Sequence, residues 1–154
     1  NLINNKGVLC HIIIKKQDTI FSSITTPLGD ELTWRFEEQQ SVLLTEFSWE
    51  KKERILTTLR RIFNDEWHKK NIKKAPKSLK YELGELANLN KEQIIFTKPA
   101  TENFPALAVI WWPWGHGATY SMRIKILNSS YDDAALKLSQ ANLLQKIIQL
   151  IKLR

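Results

Sequence analysis

Val109-Ile110-Trp111-Trp112-Pro113-Trp114-Gly115-His116-Gly117-Ala118 gathers three of the chain's six tryptophans beside a proline, two glycines and one of three histidines. Before it, residues 106–112 are continuously apolar. After it, Tyr120, Met122, Ile124 and Ile126 alternate with Thr119, Ser121, Arg123 and Lys125. A period of two marks a strand with one face in a core, and the glycines permit the positive φ that a tight reversal needs. The reading is two antiparallel strands, about 106–112 and 118–127, joined by a turn crowned with indoles.

Toward the N-terminus the pattern reads as a strand meander. Residues 8–14 are rich in β-branched side chains, and residues 19–26 carry Ile20, Phe21 and Ile24. Pro27-Leu28-Gly29-Asp30 has the chemistry of a turn, because proline sets φ and glycine tolerates φ > 0. Leu32, Trp34 and Phe36 then alternate with polar neighbours, and residues 42–47 make a further strand after Glu38-Gln39-Gln40.

Ser48 suits an N-cap. Beyond it Ile55, Leu56, Leu59, Ile62, Phe63 and Trp67 fall on one helical stripe, which predicts a helix over 49–70. Pro76 halts any continuation. Residues 78–90 fit a short helix or a strand, with the helix preferred, and 93–97 a short strand. Ser130 and Asp133 resemble a capping box opening a helix over 131–153, whose leucines and isoleucines cover more than half its circumference. Strands and helices do not alternate singly. The expected fold is therefore α+β: a mostly antiparallel sheet, comprising an N-terminal meander and the tryptophan-rich hairpin, packed on a central and a C-terminal helix.

At 154 residues, with 43% hydrophobic and 25% charged side chains, the chain suits one α+β domain over 1–154. It starts at Asn1 rather than methionine, so we expect a processed or excised piece of a longer protein. Cytoplasmic placement and extracytoplasmic placement after loss of an N-terminal anchor both stay open. Cys10 is the single cysteine, which excludes an internal disulfide. Its apolar neighbours suggest a buried thiol.

Net charge is +7, but it is concentrated. Residues 51–80 hold eleven basic and three acidic side chains, a local +8. Arg60, Arg61, Lys69, Lys70, Lys73, Lys74 and Lys77 form the basic face of that segment. Such a field is either a solvated surface or a guide for an acidic protein, nucleic acid or an anionic membrane surface.

Chemistry-bearing motifs are scarce. Rossmann and P-loop glycine patterns are missing, and Gly115-His116-Gly117 joins strands rather than a strand and a helix. His11, His68 and His116 are scattered, with no His-x-x-x-His and no Cys-x-x-Cys, so neither a metal nor a small-molecule cofactor is expected. The leading expectation is a non-enzymatic binding or regulatory domain. It engages another protein chain, as a hetero-complex or homodimer, through Trp112, Trp114, His116 and Arg123, through the basic face, or both. The alternatives are a nucleic-acid-binding domain using 51–80, and a small hydrolase or nuclease toxin domain in which folding brings a carboxylate to His116. The bland counterpart is that the tryptophans fill the core and the final helix is sandwiched within the fold.

Overall fold

The computed structural model describes residues 2–128, 145 and 147–152, with side chains from Lys15 onward. Its first element is a long helix, α1 (Leu2–Leu28), followed by strands β1 (Trp34–Glu37) and β2 (Val42–Ser48). A 3-10 turn at Trp49–Lys51 leads into α2 (Lys52–Ile62), and β3 (Asp65–His68) comes next. A second 3-10 turn (Ile72–Lys74) precedes α3 (Lys77–Leu83) and a third turn (Gly84–Ala87). Strands β4 (Ile94–Lys98), β5 (Leu107–Pro113) and β6 (Thr119–Ile126) complete the sheet. Its six strands lie in the order β1-β2-β6-β5-β4-β3, and every neighbouring pair is antiparallel. The architecture is α+β, an antiparallel sheet packed against helices.

Register assigns the two faces. On the first, Trp111 sits opposite Met122 and Ile94, Val109 opposite Ile124, and Phe47 opposite Tyr120. These side chains meet Ile20, Phe21, Ile24 and Leu28 of α1 and Ile55, Leu56 and Leu59 of α2 in one buried cluster. Ring centroids of Phe47 and Tyr120 stand 5.3 and 5.1 Å from that of Trp111, within the range of favourable aromatic pairing. On the second face Ile95, Ala108 and Ile110 pack with Ile72, Ala75, Leu79 and Leu83, so that α3 and the turn before it cover that side of the sheet.

The first third differs from the meander expected. Residues 8–14 and 19–26 are helical, not extended. Ile20, Phe21, Ile24 and Leu28 are buried at spacings of one, three and four, the stripe of a helix lying on a sheet. Burial along that stripe outweighs the modest strand preference of β-branched residues. The helix ends where Gly29 adopts φ +102, a conformation a side chain disfavours, and Arg54 Nη1 donates to the terminal Leu28 carbonyl at 2.7 Å.

The helix expected over 49–70 is also shorter. It runs only to Ile62, because Phe63 takes extended angles (φ −100, ψ 145) and the chain turns into β3. Trp67 therefore belongs to the second face, where its indole N–H donates to Thr97 Oγ1 at 2.8 Å. Ser48 makes no side-chain cap. The segment 78–90 resolves into α3 and a 3-10 turn. Of the helix expected over 131–153, residues 145 and 147–152 are helical, and the rest lies outside the described residues, as do Ser130, Asp133 and the side chains of Cys10 and His11.

Candidate partner-binding surface

The reversal between β5 and β6 is built by its own backbone. Trp114 N–H donates to Thr119 O at 2.9 Å, and Gly117 N–H donates to Trp114 O at 2.9 Å. Gly117 holds φ +74, the left-handed region a β-carbon makes costly. His116 Nδ1 accepts the Ala118 N–H at 3.1 Å, which turns the imidazole into a brace for the loop. With the backbone satisfied from within, the Trp114 ring projects from the end of the sheet at 44% exposure. Trp111, two strand positions away from Pro113 on the same face, is 2% exposed.

A second exposed indole sits beside this turn. Trp49 N–H donates to Ala118 O at 3.0 Å, and Trp49 is 60% exposed. Sequence reasoning missed it, because it treated Trp49 as the start of a helix. The available signal was its position directly after β2, the strand that pairs with β6. Clefts of about 360 and 400 Å³ flank the apex. The first is lined by Lys52, Trp111, Pro113 and Tyr120, the second by Lys91, Trp112, Pro113 and Gly115. The charged neighbours are Glu50, Lys51, Lys52, Glu53, Arg60, Lys91 and Glu92, three acidic and four basic. This end of the molecule is aromatic and carries charges of both signs in nearly equal number.

The four tip residues expected from sequence do not form one group. Trp114 and His116 occupy the apex. Trp112 and Arg123 lie behind it on the second face, with the Arg123 guanidinium 5.8 Å from the centre of the Trp112 ring. Arg123 also donates to Ser121 Oγ at 3.2 Å and approaches Glu37 at 4.0 Å. Trp112 is half-buried and lines a cavity of about 760 Å³ between α3 and the β1–β2 turn.

The basic segment is divided as well. Arg60 and Arg61 are on α2, over the first face, while Lys69, Lys70, Lys73, Lys74 and Lys77 follow edge strand β3 toward the second. Arg54 pairs with Glu31, and Arg60 grips Glu66 through two bonds of 3.0 Å. The Glu66 carboxylate is held below its usual pKa chiefly by the Arg60 hydrogen bonds, against a smaller opposing effect of burial. His68 Nε2 lies 2.9 Å from the same carboxylate. The histidine that folding sets against a carboxylate is thus His68, whereas His116 is occupied with its own turn. Among the described residues no group of three His, Cys, Asp or Glu side chains is placed to hold a metal ion, and no helix is long and apolar enough to cross a membrane.

No family model, curated protein or solved structure matches this chain.

Proposed function

We propose that this is a non-enzymatic binding domain that engages another protein chain through the hairpin apex, with Trp114 and Trp49 as its anchors. One observation carries the reading: two indoles stand in solvent beside a turn whose backbone needs neither of them for support. Tryptophan is concentrated at interface hot spots because a rigid ring buries much area for little lost side-chain freedom. Three acidic and four basic residues around it suit the mixed rim of a protein interface better than an anionic membrane, which calls for a larger excess of positive charge. Flanking clefts offer places for partner side chains. The test compares affinity capture by the wild-type chain and by a W49A/W114A variant of matched thermal stability. The expected result is a defined partner retained by the first and lost by the second. Identical capture profiles, or a variant that fails to fold, reject the reading.

A further inference from the structure

Residues 69–80 read Lys-Lys-Asn-Ile-Lys-Lys-Ala-Pro-Lys-Ser-Leu-Lys: six lysines, and no acidic residue among the twelve. Buried Ile72, Ala75 and Leu79 pin this stretch to the second face, so Lys69, Lys70, Lys73, Lys74 and Lys77 are turned outward and exposed. The approach is fixed by Asn71, whose Oδ1 accepts the His68 N–H at 2.6 Å while its Nδ2 donates to Glu66 O at 3.0 Å. Of the α2 arginines, Arg54 and Arg60 have carboxylate partners. These five lysines form no ion pair among the described residues. Like charges crowded in this way repel, and a polyanion relieves the repulsion while releasing its own counterions.

Two features narrow the polyanion. Lys69 and Lys73, with Lys80, border a shallow concavity of about 710 Å³ that Gly84, Ala87, Asn88, Leu89 and Asn90 close on the other side. A shallow trough of this size can seat a strand of nucleotides along its lysines. Tyr81 is 89% exposed, and lies one helical turn from Lys77 on the outer side of α3, opposite buried Leu79 and Leu83. An aromatic face in solvent one turn from Lys77, beside Lys80 whose Nζ donates to Lys73 O at 2.9 Å, is placed to stack a base while neighbouring lysines neutralise its phosphates. We infer that Lys69, Lys73, Lys77 and Lys80 with Tyr81 form a binding site for single-stranded nucleic acid. The site is independent of the hairpin apex.

The test is fluorescence anisotropy of a labelled oligothymidylate of about 20 nucleotides, long enough for a groove of this kind. It is titrated with the full chain from about 50 to 200 mM salt. Saturable binding is expected, with a log–log salt slope of about −2 to −4 for three to five neutralised phosphates. K69E/K73E/K77E should abolish binding at the higher salt. Y81A should weaken it about tenfold with the salt slope unchanged, and Y81F should restore wild-type affinity, since stacking needs the ring and not the hydroxyl. W49A/W114A should bind as the wild type does. No saturable binding at low salt, tighter binding to a duplex of the same length, or an unaltered affinity in Y81A overturns the inference. So does adsorption to phosphatidylserine vesicles with the oligomer left unbound.

Discussion

At the residue scale, two tryptophans separated by three positions have opposite duties. Trp111 is enclosed by Phe47 and Tyr120, and Trp111→Ala should cost about 3–5 kcal/mol through lost burial and an unfilled cavity. Trp114→Ala removes a ring at the apex that is 44% exposed and lies outside the buried clusters, and should change stability by about 1 kcal/mol or less. Chemical denaturation of the two variants checks the contrast directly. Their sequence neighbourhoods are nearly the same. What separates them is strand parity, which sets Trp111 opposite Met122, and the backbone turn, which lifts Trp114 out of the sheet. The cluster was legible in the sequence, and the division of labour within it was not. A second residue-scale expectation concerns Glu66. Its pKa is depressed, so the stabilisation it brings is complete above the pH at which an unfolded glutamate ionises. That stabilisation is lost as pH falls through the lowered folded value. The pair is half exposed, which limits the effect to about 1 kcal/mol or less. Glu66→Gln should flatten the acid limb of a stability-versus-pH curve, and leave its neutral region almost level after the constant offset.

At the element scale, α1 is held by a narrow stripe and a deliberate end. Ile24 is fully buried between the sheet and α2, and Ile24→Ala should cost about 2–4 kcal/mol by thermal or urea unfolding. A value near zero would mean that α1 is not docked where its burial places it. Thr97 supports β3 from the neighbouring strand by accepting the Trp67 indole N–H. Thr97→Val should therefore cost about 1–3 kcal/mol and expose the β3 amides to faster hydrogen exchange. These elements also explain where sequence reading stopped. The β-branched runs of α1 resemble strands locally, and only their spacing of one, three and four reveals the face that meets the core. Trp67 follows Phe63 by four residues, a helical interval, and is also in step with Asp65 on one side of a strand. Periodicity alone cannot separate those two readings. Strands β2, β5 and β6, where alternation or continuous apolarity spans seven residues or more, were legible with nearly correct limits.

At the scale of the whole molecule, the sheet keeps the two proposed surfaces apart. The indoles project where β5 turns into β6, near the middle of the sheet, and the lysines follow β3, its outer strand. Sites so separated should not couple. Combining W49A/W114A with K69E/K73E/K77E should then give additive changes in stability, within about 0.5 kcal/mol. The net +8 of residues 51–80 was plain from composition. Its division between the paired Arg54 and Arg60 on α2 and lysines beyond β3 that form no ion pair among the described residues required the fold, because ion pairing joins residues such as Arg54 and Glu31 that are distant in sequence. The central claim is that the hairpin apex is the surface a protein partner covers. Hydrogen–deuterium exchange of residues 114–118, with and without the captured partner, tests it most directly. The account predicts slowed exchange at Gly117 and Ala118 and at the neighbouring Trp49 amide when the partner is bound. Unchanged exchange there, with protection confined to another part of the sheet, would contradict it.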